Sequence, residues 1–238
     1  NDPPLEGAMA WRLLAAACLL LLSQPAGGDL LPVNQGSTDS RPITIWPLQD
    51  AEAHHFHSPE MLEALPLLLN KTLPLSDLGC GLGYYAHGLS NLGYQVHAVE
   101  GTEGIERISL HKPIHQGDLS EPLSLALPQG NVLSLEVAEH LEREDEGVFL
   151  DNLASLCSAR LVLSWALPEA CAPGRGYGHL NCRSNDYVYR VMFERGFLTH
   201  LDAGDWLRGR LRGAEAFWFE GTAMVFDRVG GGGTRGGQ

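Results

Sequence analysis

Positive charge is scarce in this chain. Lys and Arg number 16 against 29 Asp and Glu, a net charge of −13 over 238 residues. Proteins that hold polynucleotides do so largely by neutralising phosphates with Lys and Arg. The one concentration of cations, Arg208, Arg210 and Arg212, reads as a solvated face, so no nucleic-acid partner is expected. Close-spaced thiols are missing too. Five cysteines include no C-x-x-C pair, which argues against a thiol-rich zinc site. A long apolar run is also lacking: Leu13–Leu22 is ten residues without a charge, short of the roughly 20 that span a bilayer. No internal repeat is visible, so a solenoid or propeller is not indicated.

Those absences leave an ordinary globular composition, 44% hydrophobic. Without its two ends the chain has about 200 residues, enough for one α/β domain with a well-buried core. Residues 1–28 read as upstream residues and a leader. Met9-Ala-Trp-Arg12 precedes the short apolar run, and Ser23 to Gly28 are mostly small. That order marks a secretory signal peptide, with an uncleaved membrane anchor or a packed N-terminal helix as the alternatives. After cleavage no stable membrane span is expected. Asn70-Lys-Thr72 is an N-glycosylation acceptor triplet. Residues 29–57 read as an irregular arm, 58–228 as the folded domain, and 229–238 as a disordered Gly-rich tail. Cys171 and Cys182 either pair in an oxidising lumen or stay free in a loop, and both readings remain open.

The most informative segment is Leu75-Ser-Asp-Leu-Gly-Cys-Gly-Leu-Gly83. An apolar stretch containing Asp77 runs into glycine at every second position, then into a helical pattern from Tyr84 to Leu92. A strand, a tight turn and a helix start follow from that order. Gly79, Gly81 and Gly83 suit a turn that needs positive φ or close approach of a ligand to the backbone. Such a turn delivers the ligand to the carboxyl end of a first strand in an α/β sheet. The next strand-like stretch, Tyr94–Glu100, ends in an acid 23 residues past Asp77. His115-Gln-Gly-Asp118 follows a third short apolar start. Asn131 to Leu141 contains Glu136-Val-Ala-Glu139-His140 after a fourth.

The Asp-Leu-Gly-Cys-Gly-x-Gly string resembles the first motif of class I S-adenosylmethionine-dependent methyltransferases, and the later landmarks occur in that family's order. The resemblance covers roughly residues 58–228. It implies a Rossmann-like α/β fold: a mostly parallel seven-stranded sheet with an antiparallel last strand and helices on both faces. It also implies S-adenosylmethionine bound by Asp77, Gly79, Gly81, Gly83 and Glu136, with Glu100 on the ribose and Asp118 near the adenine. Glu100 and Asp118 retain plainer alternatives as a surface acid and a turn aspartate.

Strands are expected near 74–78, 94–99, 113–116, 131–136 and 160–165, with helices at 143–157 and 184–195. Ser58-Pro59 reads as an N-cap and first position of a further helix. The stretch Ala216–Phe226 is rich in strand formers.

Methyl transfer to a hydroxyl needs the acceptor's proton removed, by a base or by a metal that lowers its pKa. If a helix starts after the fourth strand, Glu136, Glu139 and His140 share one face. With His179 of Gly178-His-Leu-Asn181 they could hold a divalent ion, as in metal-assisted O-methyltransferases of similar wording. The alternative is that His140 only fixes its loop by hydrogen bonds. His179 and His140 are the candidate catalytic residues. His179 is a base or substrate ligand, or, with Asn181, a loop pin. Tyr177 and Trp165 either wall the acceptor pocket or pack in the core.

The expected activity is methyl transfer to a small-molecule or glycan-like acceptor, at oxygen, in the secretory pathway. Two alternatives stand beside it. One is a secreted binding protein that keeps the nucleoside pocket without turnover. The other is a dinucleotide oxidoreductase, because Gly81-Leu-Gly-Tyr-Tyr-Ala86 also fits G-x-G-x-x-A. The position of Asp77 counts against that last reading, since a carboxylate there repels a pyrophosphate.

Overall fold

The structure is a computed structural model, described here for residues 45–230; residues 1–44, with the expected leader and the first part of the arm, and residues 231–238, with most of the Gly-rich tail, lie outside the described residues. Seven strands form one sheet: β1 Leu75–Leu78, β2 Val96–Glu100, β3 Ile114–Gln116, β4 Gly130–Ser134, β5 Cys157–Ser164, β6 Phe197–Thr199 and β7 Ala223–Arg228. Their spatial order is β3-β2-β1-β4-β5-β7-β6. The first five pair in parallel, with registers such as Asp77↔Ala98 and Asp77↔Leu133. β7 runs antiparallel between β5 and β6. The chain winds outward from β1 to β3 and then returns to place β4 on the other side of β1. A crevice therefore opens beyond the carboxyl ends of β1 and β4, the place where such sheets bind ligands.

Both faces of the sheet are covered. Side chains alternate along each strand, so Leu78, Val132, Leu161, Leu163, Met224 and Phe226 face one layer and Leu75, Leu133, Val162 and Val225 the other. The first layer is filled by α4 Glu146–Leu156 and α5 Asn185–Glu194, through Phe149, Leu153, Val188 and Met192. The second takes α2 Pro59–Leu68, α3 Tyr84–Asn91 and α6 Leu201–Arg210, through Met61, Leu65, Leu89 and Leu207. Truncating one of these fully buried leucines to alanine costs about 2–5 kcal/mol.

Local chemistry explains the element ends. Ser58 caps α2, its hydroxyl accepting from Met61 N at 3.1 Å, with Pro59 in the first turn. Ser58 N in turn donates to the Tyr85 hydroxyl of α3 at 2.9 Å, which ties the two helices together. The Asn70 triplet is exposed in the turn after α2, where Thr72 N and Oγ1 donate to Asn70 Oδ1.

Three details depart from the sequence reading. The arm is not irregular throughout, because Leu48–His54 forms a short helix, α1. The residues after β4 do not begin an α-helix; Ala138–His140 is a single 3₁₀ turn and α4 starts at Glu146. The aromatic stretch from Ala216 turns once as α7 Phe219–Thr222 before β7, which buries Phe219 and leaves Phe217 exposed. Among the described residues no helix is long and apolar enough to cross a membrane.

Candidate active site

The glycine turn is built as its residue types require. Gly79, Gly81 and Gly83 have φ of +75°, +55° and +73°. A Cβ on Gly79 would lie 2.4 Å from Val137 Cγ2, and one on Gly81 would lie 2.7 Å from His55 Nδ1. The turn is fastened to β2 by Gly79 N and Cys80 N, which both donate to the Val99 carbonyl. Glu100 fastens it again. Its Oε2 accepts from Gly81 N at 2.8 Å, and its Oε1 from Thr102 N and Oγ1 at 3.0 Å each. A carboxylate offers about four acceptor sites, so this one keeps room for a single further hydroxyl. The expected double grip on a ribose diol would displace a Thr102 bond.

Asp77 lies beneath the turn, 3% exposed, and its Oδ2 has no hydrogen-bond partner. Burial, and then the Glu100 charge, push its carboxyl up to about 7, against a lowering bond from Ala86 N. A buried carboxyl with one bare oxygen next to a second acid suits a cationic ligand, which relieves both costs. Asp118 follows β3 and its Oδ1 accepts from Ser120 N and Oγ at 2.8 and 2.7 Å, capping a turn.

The arm covers this cradle, a placement with no counterpart in the sequence reading. His55 stands over Gly81, and Ile45 lies against Gly101, where an added Cβ would be 3.2 Å away. Trp46 stacks on His55 at 5.3 Å and meets the edge of His140 at 4.9 Å. His54 stacks on Tyr177 at 4.1 Å. Burial lowers the His55 pKa while Glu100 opposes it, and its Nδ1 has no partner. The available signal was the cluster His54-His55-Phe56-His57, four rings, three of them polar, just before a helix N-cap.

A second group of side chains gathers beyond β4. Glu136 adopts φ +55°, a left-handed conformation unusual for a residue with a side chain. Its N donates to Ser164 Oγ at 2.8 Å, and its Oε1 accepts from Thr222 Oγ1 at 3.4 Å. Glu139 is fully buried and neither carboxyl oxygen has a hydrogen-bond partner. Burial, then the Glu136 charge, raise its pKa well above the usual range; burial raises that of Glu136 as well.

The loop carrying His179 is clamped from below. Leu180 N and Asn181 N both donate to the Glu139 carbonyl, at 2.7 and 3.0 Å. His140 Nδ1 donates to the Gly178 carbonyl at 3.2 Å, which leaves Nε2 as a lone-pair donor. Burial, then His179, lower the His140 pKa to about 4; burial also lowers that of His179. The His140 and His179 rings meet edge to face at 5.0 Å.

One ligand atom each from Glu139, His140 and His179 fall within 4.8 Å of one another. Two donors on a common ion at 2.0–2.2 Å are at most about 4.4 Å apart, so small side-chain adjustments complete the set. A buried carboxyl without a partner and two neutral imidazoles fit a divalent ion. Glu136 adjoins Glu139 carboxyl to carboxyl but is not part of the set.

Asn181 and Trp165 turn out to be structural. Glu146, at the start of α4, accepts from Asn181 Nδ2 at 3.0 Å, from Arg183 Nε at 2.8 Å and from the Tyr187 hydroxyl. Burial alone would raise this carboxyl, but these bonds hold it below its ordinary value. The Trp165 indole is fully buried and donates to the Asn181 carbonyl at 2.5 Å. Cys171 and Cys182 form a disulfide with a Cα–Cα distance of 5.8 Å, and Cys80 and Cys157 are buried free thiols.

No family model matches the chain, and no curated protein matches it. Solved structures do. The methyltransferase CcbJ from Streptomyces caelestis aligns at 14% identity over 77% of this chain and 96% of that one, with a TM-score of 0.56. The glycopeptide N-methyltransferase MtfA, complexed with sinefungin, aligns at 18% identity over 73% and 95%, with a TM-score of 0.50. These likenesses and the strand order β3-β2-β1-β4-β5-β7-β6 establish the class I S-adenosylmethionine-dependent methyltransferase fold.

Proposed function

We propose that this chain is an S-adenosylmethionine-dependent methyltransferase that uses a divalent ion and acts at oxygen on a small-molecule or glycan-like acceptor. The observation that carries this reading is a pair of buried acids with unpartnered oxygens, Asp77 under the glycine cradle and Glu139 beside two neutral imidazoles. The first fits a cationic donor and the second a metal.

S-adenosylmethionine supplies a methyl group already bonded to a good leaving group. The chain's part is alignment and exclusion of water. Asp77 holds negative charge toward the sulfonium and amino end, the glycine backbone admits the nucleoside, and Glu100 keeps one site for a hydroxyl. His55, Trp46 and Ile45 shield the cradle from solvent. Glu139, His140 and His179 would hold the ion, which lowers the pKa of an acceptor hydroxyl. The outer faces of the stacked Tyr177 and His54 rings offer flat surfaces to a ring-shaped acceptor. The acidic surroundings disfavour a phosphorylated one. The orphaned Asp77 also weighs against the dinucleotide alternative.

The test is turnover with labelled donor across a panel of phenols, sugars and glycopeptides, with and without Mg²⁺ or Mn²⁺. Transfer that needs the ion supports the reading; donor binding without transfer to any acceptor supports the non-catalytic alternative. A secretory location is proposed alongside. It is supported by the leader pattern and the Cys171–Cys182 disulfide, which belongs to oxidising compartments.

A further inference from the structure

Two sets of ligand-type side chains meet at one imidazole. On one side His179 faces Glu139 and His140; on the other it stands beside Cys171 and Cys182. In each set the ligand atoms lie within 4.8 Å of one another. Cys182 Sγ is 3.9 Å from His179 Nδ1, and Cys182 N donates to Cys171 Sγ at 3.1 Å. The sulfurs are joined to each other, so only the carboxylate–imidazole set is available while the disulfide persists. Thiolates, not disulfide sulfurs, are metal ligands. The loop between the two cysteines carries Gly174, Gly176 and Gly178 in the left-handed region, backbone able to resettle once the bond is open.

We propose that reducing the Cys171–Cys182 disulfide creates a second metal site, made of Cys171, Cys182 and His179, for a thiolate-seeking divalent ion of the zinc class. A dithiol cleaves the S–S bond to two thiols and is itself oxidised to a disulfide; a phosphine does the same with one water, which supplies both protons and whose oxygen leaves as the phosphine oxide. The incoming ion then displaces both thiol protons to solvent and takes two thiolates and one imidazole. Soft sulfur ligands select zinc over harder ions, whereas the Glu139 set with its oxygen donor suits ions such as Mn²⁺. A single His179 cannot complete both sets, so the reduced chain withdraws it from Glu139 and His140. Only that last consequence rests on the proposed metal-assisted reaction; the sulfur site stands by itself.

Cobalt is the probe. The EDTA-treated full chain is titrated with Co²⁺ in its oxidised form and after phosphine reduction. Reduction should bring a thiolate-to-cobalt charge-transfer absorption at one ion per chain. It should be absent from the oxidised protein and from the reduced Cys171→Ser/Cys182→Ser variant, which retains the buried thiols Cys80 and Cys157 as an internal control. His179→Ala should weaken cobalt binding by the reduced form about a hundredfold, the upper range for losing even an outer partner of a metal. His140→Ala should leave the charge-transfer band in place. No new band on reduction, a band that survives in the double serine variant, or unchanged affinity in His179→Ala overturns the proposal. The carboxylate–imidazole set is judged separately, by whether His140→Ala abolishes cobalt binding by the oxidised protein.

Discussion

Asp77 and Glu100, on adjacent parallel strands, face the same glycine turn in unequal states. Glu100 is satisfied by Gly81 N and Thr102, whereas Asp77 keeps a bare oxygen and is pushed up to about 7. The satisfied acid shapes the turn. The frustrated one stores free energy that a cation releases.

That asymmetry gives a pH signature. A folded pKa above the unfolded value means that Asp77 adds stability in full below about pH 4 and loses it as pH rises through about 7. The full swing is on the order of 4 kcal/mol. Asp77→Asn removes the charge but leaves a buried amide. It should be about 1–3 kcal/mol more stable than the wild type at pH 8 and less stable by a similar amount near pH 4, where the wild-type carboxyl is neutral and only the cost of the buried amide remains. Urea unfolding at the two pH values checks this, and the same variant should bind donor at least tenfold more weakly.

Gly81→Ala places a Cβ 2.7 Å from His55 Nδ1 at a φ of +55°. The backbone strain alone is about 1–2 kcal/mol. The variant should stay folded, lose donor affinity, and release the arm. Faster proteolytic cutting within residues 45–57 reports that release.

Glu139→Gln and His140→Ala each remove one member of the proposed ion set. Both should lose Mn²⁺ binding, followed by electron spin resonance, while donor affinity stays within about twofold in Glu139→Gln, which leaves the contact of His140 with Trp46 of the arm intact. Glu139→Gln should also raise the melting temperature at pH 8, since its carboxyl is held unpartnered by the fold.

Glu146→Gln weakens the anchor beneath Asn181, Arg183 and Tyr187. A loss of about 1–3 kcal/mol in stability is expected. Turnover should fall further than donor affinity, because the loop it anchors carries His179. Paired calorimetry and rate measurements separate the two effects.

The cradle was legible because its chemistry is local. A strand, alternating glycines and a helix start dictate one another within a dozen residues, and all three glycines have positive φ. The sheet followed from apolar stretches alternating with helical patterns. Elsewhere tertiary contacts decided. Helix α1 is seven residues long and belongs to the arm that covers the cradle, so no periodicity announced it. Helical spacing suggested that Glu136, Glu139 and His140 share a face; the left-handed Glu136 and the 3₁₀ turn instead direct Glu139 and His140 toward His179 and leave Glu136 beside Thr222. Glu146 carried no local signal, because its partners Asn181 and Tyr187 lie 35 and 41 residues away.

The central claim is that the glycine cradle and Asp77 bind an adenosyl sulfonium. Calorimetric titration of the purified chain with S-adenosylmethionine and with NAD at pH 8 tests it most directly. Saturable uptake of one S-adenosylmethionine per chain, no NAD binding, and loss of the heat in Asp77→Asn are predicted. NAD binding with no heat from S-adenosylmethionine contradicts the account.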